Sequence, residues 1–121
     1  MTQAWVVLTR PDGRDVAAPT ESQLAAALAE VYSGSVRGPD GGPGTAVLRF
    51  GYDDGLMYEV EVASGGDIVF AEWSDRDCEI ALASPRRMAG APQADALQLW
   101  KWLAQRQVAK IRSQRWHSGA D

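Results

Sequence analysis

The chain has 121 residues, 45% of them apolar and 23% charged, with a formal net charge of −4. That balance excludes wholesale disorder and fits one globular domain with its own core, spanning 1–121 with a loose tail from about 117. One cysteine, Cys78, and one histidine, His117, exclude an internal disulfide and a four-ligand Cys/His zinc site, and no apolar run is long enough to span a membrane.

The first apolar stretch, Trp5-Val6-Val7-Leu8, is too short for a signal peptide, so a cytoplasmic home is expected. Residues 4–9 read as a strand closed by the turn Arg10-Pro11-Asp12-Gly13. A helix begins after Thr20, an N-cap with Gln23 as its capping-box partner. Leu24, Leu28, Val31 and Tyr32 share its apolar face, and Gly34 ends it. Residues 33–44 are too rich in Gly and Pro for a regular element. They lack the Gly-Lys-Ser/Thr ending and the preceding strand of a phosphate loop.

Residues 45–83 read as four strands. Ala46, Leu48, Phe50 and Tyr52 alternate along the first, and Asp53-Asp54-Gly55 predicts a hairpin turn. Leu56, Tyr58, Val60 and Val62 alternate with Met57, Glu59 and Glu61 along the second. Ser64-Gly65-Gly66-Asp67 is the next turn and Ile68 to Trp73 the third strand. Ser74-Asp75-Arg76-Asp77 then leads to a fourth strand marked by Cys78, Ile80 and Leu82. After a connection from Ser84, Pro92 to Gln107 reads as a helix that buries Ala96, Leu99, Trp100 and Leu103, with Trp102 off the centre of that face. Residues 108–116 read as a short strand or an irregular tail. The order β-α-β-β-β-β-α predicts an α+β fold: a mainly antiparallel β-meander with two helices packed on one face.

Charge is split along the chain. Residues 1–85 carry five basic and fourteen acidic residues, a balance of −9, and residues 86–121 carry seven and two, a balance of +5. The stretch 53–79 holds nine acids against Arg76 alone. Such a surface repels nucleic-acid phosphates and attracts basic partners. The basic tail, with Arg106, Lys110, Arg112 and Arg115, is the feature a nucleic-acid binder would use; it also suits the C-terminal end of a helix dipole.

The residues offer no catalytic constellation. His117 is the fifth residue from the C-terminus, and Cys78 alternates with apolar strand residues as a small buried hydrophobe does. Glu59 and Glu61 share a strand face that the alternation places in solvent. Asp75-Arg76-Asp77 lacks the rest of a calcium loop. No cofactor is implied. Of the five tryptophans, Trp73 borders the acidic turn and reads either as an exposed interface anchor or as a rim residue of the sheet core.

The strand-turn-strand Leu48-Arg49-Phe50-Gly51-Tyr52-Asp53-Asp54-Gly55-Leu56-Met57-Tyr58, the helix from Pro92 to Ala104 and the late Trp116 resemble the first family of immunity proteins of bacterial polymorphic toxin systems. The resemblance spans roughly residues 20–116. It implies a small, non-enzymatic α+β domain that neutralises a cognate secreted toxin, often a nucleic-acid deaminase, by binding it. Resemblance and charge converge on a partner with a basic cleft. The expected contact surface is Asp53, Asp54, Asp67, Glu72, Asp75, Asp77 and Glu79 as charge, with Trp73 as anchor. The alternatives are an adaptor or chaperone domain of a secretion or other bacterial assembly, and a small-ligand binder with a pocket between helix and sheet.

Overall fold

The computed structural model describes residues 4–34, 44–52, 55–74, 86–114 and 116. Among them, six strands form one antiparallel sheet in the order β2-β1-β3-β4-β5-β6. The strands are β1 (Ala4–Thr9), β2 (Asp15–Ala17), β3 (Ala46–Tyr52), β4 (Met57–Val62), β5 (Ile68–Trp73) and β6 (Arg86–Met88). Helix α1 (Glu21–Ser33) carries the chain from β2 past β1 to β3, and α2 (Gln93–Ala104) and α3 (Val108–Arg112) follow β6. The fold is the expected α+β arrangement, with the two main helices packed against the sheet.

Register explains the core. Ladder partners point to the same side of a sheet, so Val6, Phe50 and Tyr58 share one face, as do Leu8, Leu48, Val60 and Phe70. Leu24, Leu28 and Val31 of α1 and Leu99, Trp100 and Leu103 of α2 pack into the same apolar cluster. Trp100 is fully buried there, and its indole N–H donates to the Val60 carbonyl at 3.0 Å, so its one polar atom is satisfied.

The ends of α1 follow the sequence closely. The Thr20 hydroxyl accepts from the Gln23 N–H at 3.2 Å, and the Gln23 side chain accepts from the Thr20 N–H at 2.8 Å. Gly34 closes the helix in the left-handed conformation. α2 is shorter than expected and stops at Ala104, where Arg106, at φ 63°, turns the chain. The Gln107 N–H then reaches back to the Trp102 carbonyl at 2.8 Å, a six-residue closure that satisfies one of the last helix carbonyls.

The tail is a correction. Residues 108–112 are helical, neither strand nor irregular. The turn beyond them places Trp116 on Phe70, with ring centroids 5.8 Å apart, and the Trp116 indole N–H donates to the Ile111 carbonyl at 2.7 Å. The three-residue strands β2 and β6 also depart from the expectation, which assigned no element to residues 15–17 and a connection to residues 86–88. The strand expected at Cys78, Ile80 and Leu82 lies outside the described residues, as does most of the Gly/Pro-rich loop.

The turn between β4 and β5 shows why glycine is required there. Gly66 has φ 86°, and a Cβ on it would stand 2.3 Å from the Ala91 carbonyl oxygen. The Ala91 N–H donates to the Gly66 carbonyl at 3.1 Å, so this close approach ties the α2 entrance to the sheet.

Candidate functional site

Among the described residues the helices pack on one side of the sheet, and the opposite side carries a second set of side chains. The ladder sets them in rows. Trp5, Gly51, Met57 and Trp73 are successive partners across β1, β3, β4 and β5. Val7, Arg49, Glu59 and Ala71 form the next row, and Thr9, Val47, Glu61, Val69 and Arg87 the third. Period-2 alternation thus gives this face an aromatic end and a polar middle.

At the aromatic end Trp5 lies across Gly51. A Cβ at Gly51 would stand 2.3 Å from Trp5 Cζ2 and 2.7 Å from Trp5 Cε2. The absent side chain is therefore what lets the indole approach the sheet. Met57 beside it is 2% exposed, while Trp5 and Trp73 are half-buried.

The polar middle is a hydrogen-bonded chain across five strands. The Trp73 indole N–H donates to Glu59 Oε1 at 3.1 Å. Arg49 Nε donates to Glu59 Oε2 at 3.1 Å, and Arg49 Nη1 to Thr9 Oγ1 at 3.0 Å. The Thr9 hydroxyl donates to Asp15 Oδ1 at 2.7 Å. Glu59 is 19% exposed and Arg49 35%, so water screens this pair only in part. The hydrogen bond to Glu59 holds the Trp73 indole over the polar middle of the face.

The expected contact residues divide among three places. Trp73 lies on the helix-free face, half-buried, with its N–H already engaged. Asp53, Asp54, Asp75, Asp77 and Glu79 lie outside the described residues. Tyr52 and Gly55, which flank the first pair, stand at the same end of the sheet as Trp73, and Ser74 precedes the others. Asp67 is exposed but sits at the opposite end of the β4–β5 hairpin, about 20 Å from Trp73 along the strand. The structure therefore does not bring Asp67 and Trp73 together.

Glu72 corrects the expectation. It points to the helix side and is 6% exposed. Arg112 donates to its Oε1 through Nε, at 3.1 Å, and through Nη2, and Arg86 Nη1 donates to Oε2 at 3.3 Å. The hydrogen bond that Arg112 donates to Glu72 raises the Arg112 pKa above its ordinary value, against the lowering effect of burial. Arg86 also lies 5.7 Å over the Phe70 ring that Trp116 stacks on. Glu72 thus anchors the C-terminal segment to the sheet and offers a partner almost no surface.

Sequence reasoning missed Trp5, Arg49, Gly51 and Met57 as members of one surface. Their signal was the parity of alternation, which sets them apart from the core-facing Val6, Leu48, Phe50 and Tyr58. Glu59 was placed on the solvent side by the same parity; its role as the hub between Arg49 and Trp73 required the cross-strand register. Among the described residues, no three His, Cys, Asp or Glu side chains are grouped to hold a metal ion, and no helix is long and apolar enough to cross a membrane. Comparison with protein-family models, with curated proteins and with solved structures finds no match.

Proposed function

We propose that this chain is a non-enzymatic immunity protein that binds and neutralises a toxin with a basic, nucleic-acid-acting cleft. The observation that carries the reading is the row Trp5-Gly51-Met57-Trp73 on the helix-free face, at the sheet end from which the acidic segments run on. Aromatic side chains held in place by their neighbours are the anchors that protein interfaces use. The carboxylates that follow Tyr52 and Ser74 in the sequence would steer a basic partner and hold nucleic acid off. The Arg49–Glu59 pair is internally neutralised and tied to Trp73 and Thr9 by hydrogen bonds, which suits an inhibitor that must bind quickly with little rearrangement.

The test is capture followed by protection. The tagged chain is used to recover partners from a lysate of its own organism, and the recovered protein is expressed in a bacterial host with and without this chain. Recovery of a basic protein that arrests growth, with growth restored by this chain, supports the reading. A stable complex with a secretion or structural component, and no protection from anything recovered, favours the adaptor reading instead.

A further inference from the structure

A groove of about 500 Å³ runs beside the first half of β1, lined by Ala4, Trp5, Val6, Val7, Ala17, Ala18, Pro19 and Ala104. We propose that it is a docking site for an extended, mainly apolar peptide segment bearing a carboxylate, which adds to β1 as a further strand. The inference stands whether or not the partner is a toxin.

Backbone geometry is the first support. β3 pairs with β1 along all of Ala4–Thr9, whereas β2 pairs only with Val7–Thr9. Beyond that register one bond remains, from the Ala18 N–H to the Val6 carbonyl at 2.9 Å. Ala18 has φ 48°, an uncommon conformation for a residue with a Cβ, and Pro19 has no N–H to offer. The chain therefore leaves the edge abruptly. The Val6 carbonyl faces β2, so the Val6 N–H does too, and alternation turns the polar groups of Ala4 the same way. Among the described residues no strand pairs with β1 on this side before Val7. Among the described residues this leaves the Val6 N–H and the N–H and carbonyl of Ala4 without a strand partner, and such groups call for an occupant with an extended backbone.

The walls give the second support. None of the eight lining residues is charged, and apart from Trp5 their side chains are small or branched. Among the described residues that line the groove there is no Lys and no inward-pointing charge of the kind that usually blocks strand addition.

The charge preference comes from Arg106, two residues beyond Ala104. It is exposed, it is held at φ 63° where glycine would be easier, and its guanidinium lies 6.0 Å from the Phe50 ring centre. Phe50 is the cross-strand partner of Val6. Arg106 makes no ion pair among the described residues, so a cation stands near the groove with its charge available to a carboxylate. Trp5 belongs both to the groove and to the aromatic row, so an added strand would extend the helix-free face.

The experiment uses the full, nitrogen-15-labelled chain and short synthetic peptides made mainly of Val and Ala. One ends in Asp, one ends in Lys with an amidated terminus, and one is the Asp peptide with alternate backbone nitrogens methylated. The expected result is saturable shifts of the Ala4, Val6, Ala17 and Ala18 amide signals with the Asp peptide. Binding should be at least about fivefold weaker with the Lys peptide and lost with the methylated one. Arg106→Gln, checked for fold by circular dichroism, should remove the preference for Asp over Lys. No shift of these amides at about 1 mM peptide, or equal binding of the methylated peptide, overturns strand addition. Equal binding of the Asp and Lys peptides to the native chain overturns the carboxylate.

Discussion

At Gly51 the sheet has room for a hydrogen and nothing larger. Trp5 covers one side, and the Leu56 carbonyl oxygen would stand 2.9 Å from an added Cβ. Gly51→Ala should therefore cost about 1–3 kcal/mol in urea unfolding and shift tryptophan emission as the Trp5 indole is displaced. Glu72 is the second residue whose role depends on distant partners. Arg86 and Arg112 lie 14 and 40 residues from it in sequence. Glu72→Gln keeps the shape but leaves two guanidinium groups without their counter-charge. We expect a loss of about 1–3 kcal/mol, less than for a fully buried pair because the Arg112 side chain is 45% exposed. Amide exchange should speed up first in α3 rather than in β5, which separates loss of the anchor from general unfolding. The sequence placed Glu72 in an acidic surface because its neighbours in the chain are acidic. Its burial on the helix side is set by arginines that no local window contains.

At the scale of elements, legibility followed length and local chemistry. α1 could be read to the residue at both ends because a capping box and a C-terminal glycine are local signals. Thr20→Ala should lower stability by about 1 kcal/mol in denaturant titration with the slope unchanged, since only the α1 cap is lost. β3, β4 and β5 were legible because each is long enough to show alternation. β2 and β6 have three residues each, too few for a period to emerge, and they exist because a longer neighbour offers them an edge. α3 has five residues and no side-chain N-cap, and packing of Ile111 and Trp116 into the core stabilises it more than its own sequence does. Which residues share the helix-free face was implicit in the parity of each strand, although the sequence reading did not group them. Which rows adjoin required the register, and the hub at Glu59 could not be seen without it.

For the whole molecule, two surfaces emerge from one sheet. The helix side is closed by α1, α2 and the C-terminal segment, tied at their margins by Arg10 to Glu30 at 2.6 Å and by Lys101 to Glu21 at 3.1 Å. The helix-free side presents the Trp5-Gly51-Met57-Trp73 row and the polar chain from Trp73 to Asp15. If a basic partner sits there, charge should set the rate of association and the aromatic row the lifetime of the complex. Replacing Asp53 and Asp54 together by Lys should slow association about tenfold or more at low salt and flatten its salt dependence, with dissociation little changed. Stopped-flow or surface-based kinetics with the captured partner would show this.

The most direct measurement is hydroxyl-radical footprinting of the chain, alone and in complex with its captured partner, read by mass spectrometry. Trp5 and Trp73 on the helix-free face and Trp102 on the helix side are all half-buried in the free protein, so one experiment compares both sides. Our account predicts that the partner suppresses oxidation of Trp73, and of Trp5 beside it, while Trp102 is oxidised as before. Protection of Trp102 with Trp73 left reactive would place the partner on the helices and contradict it.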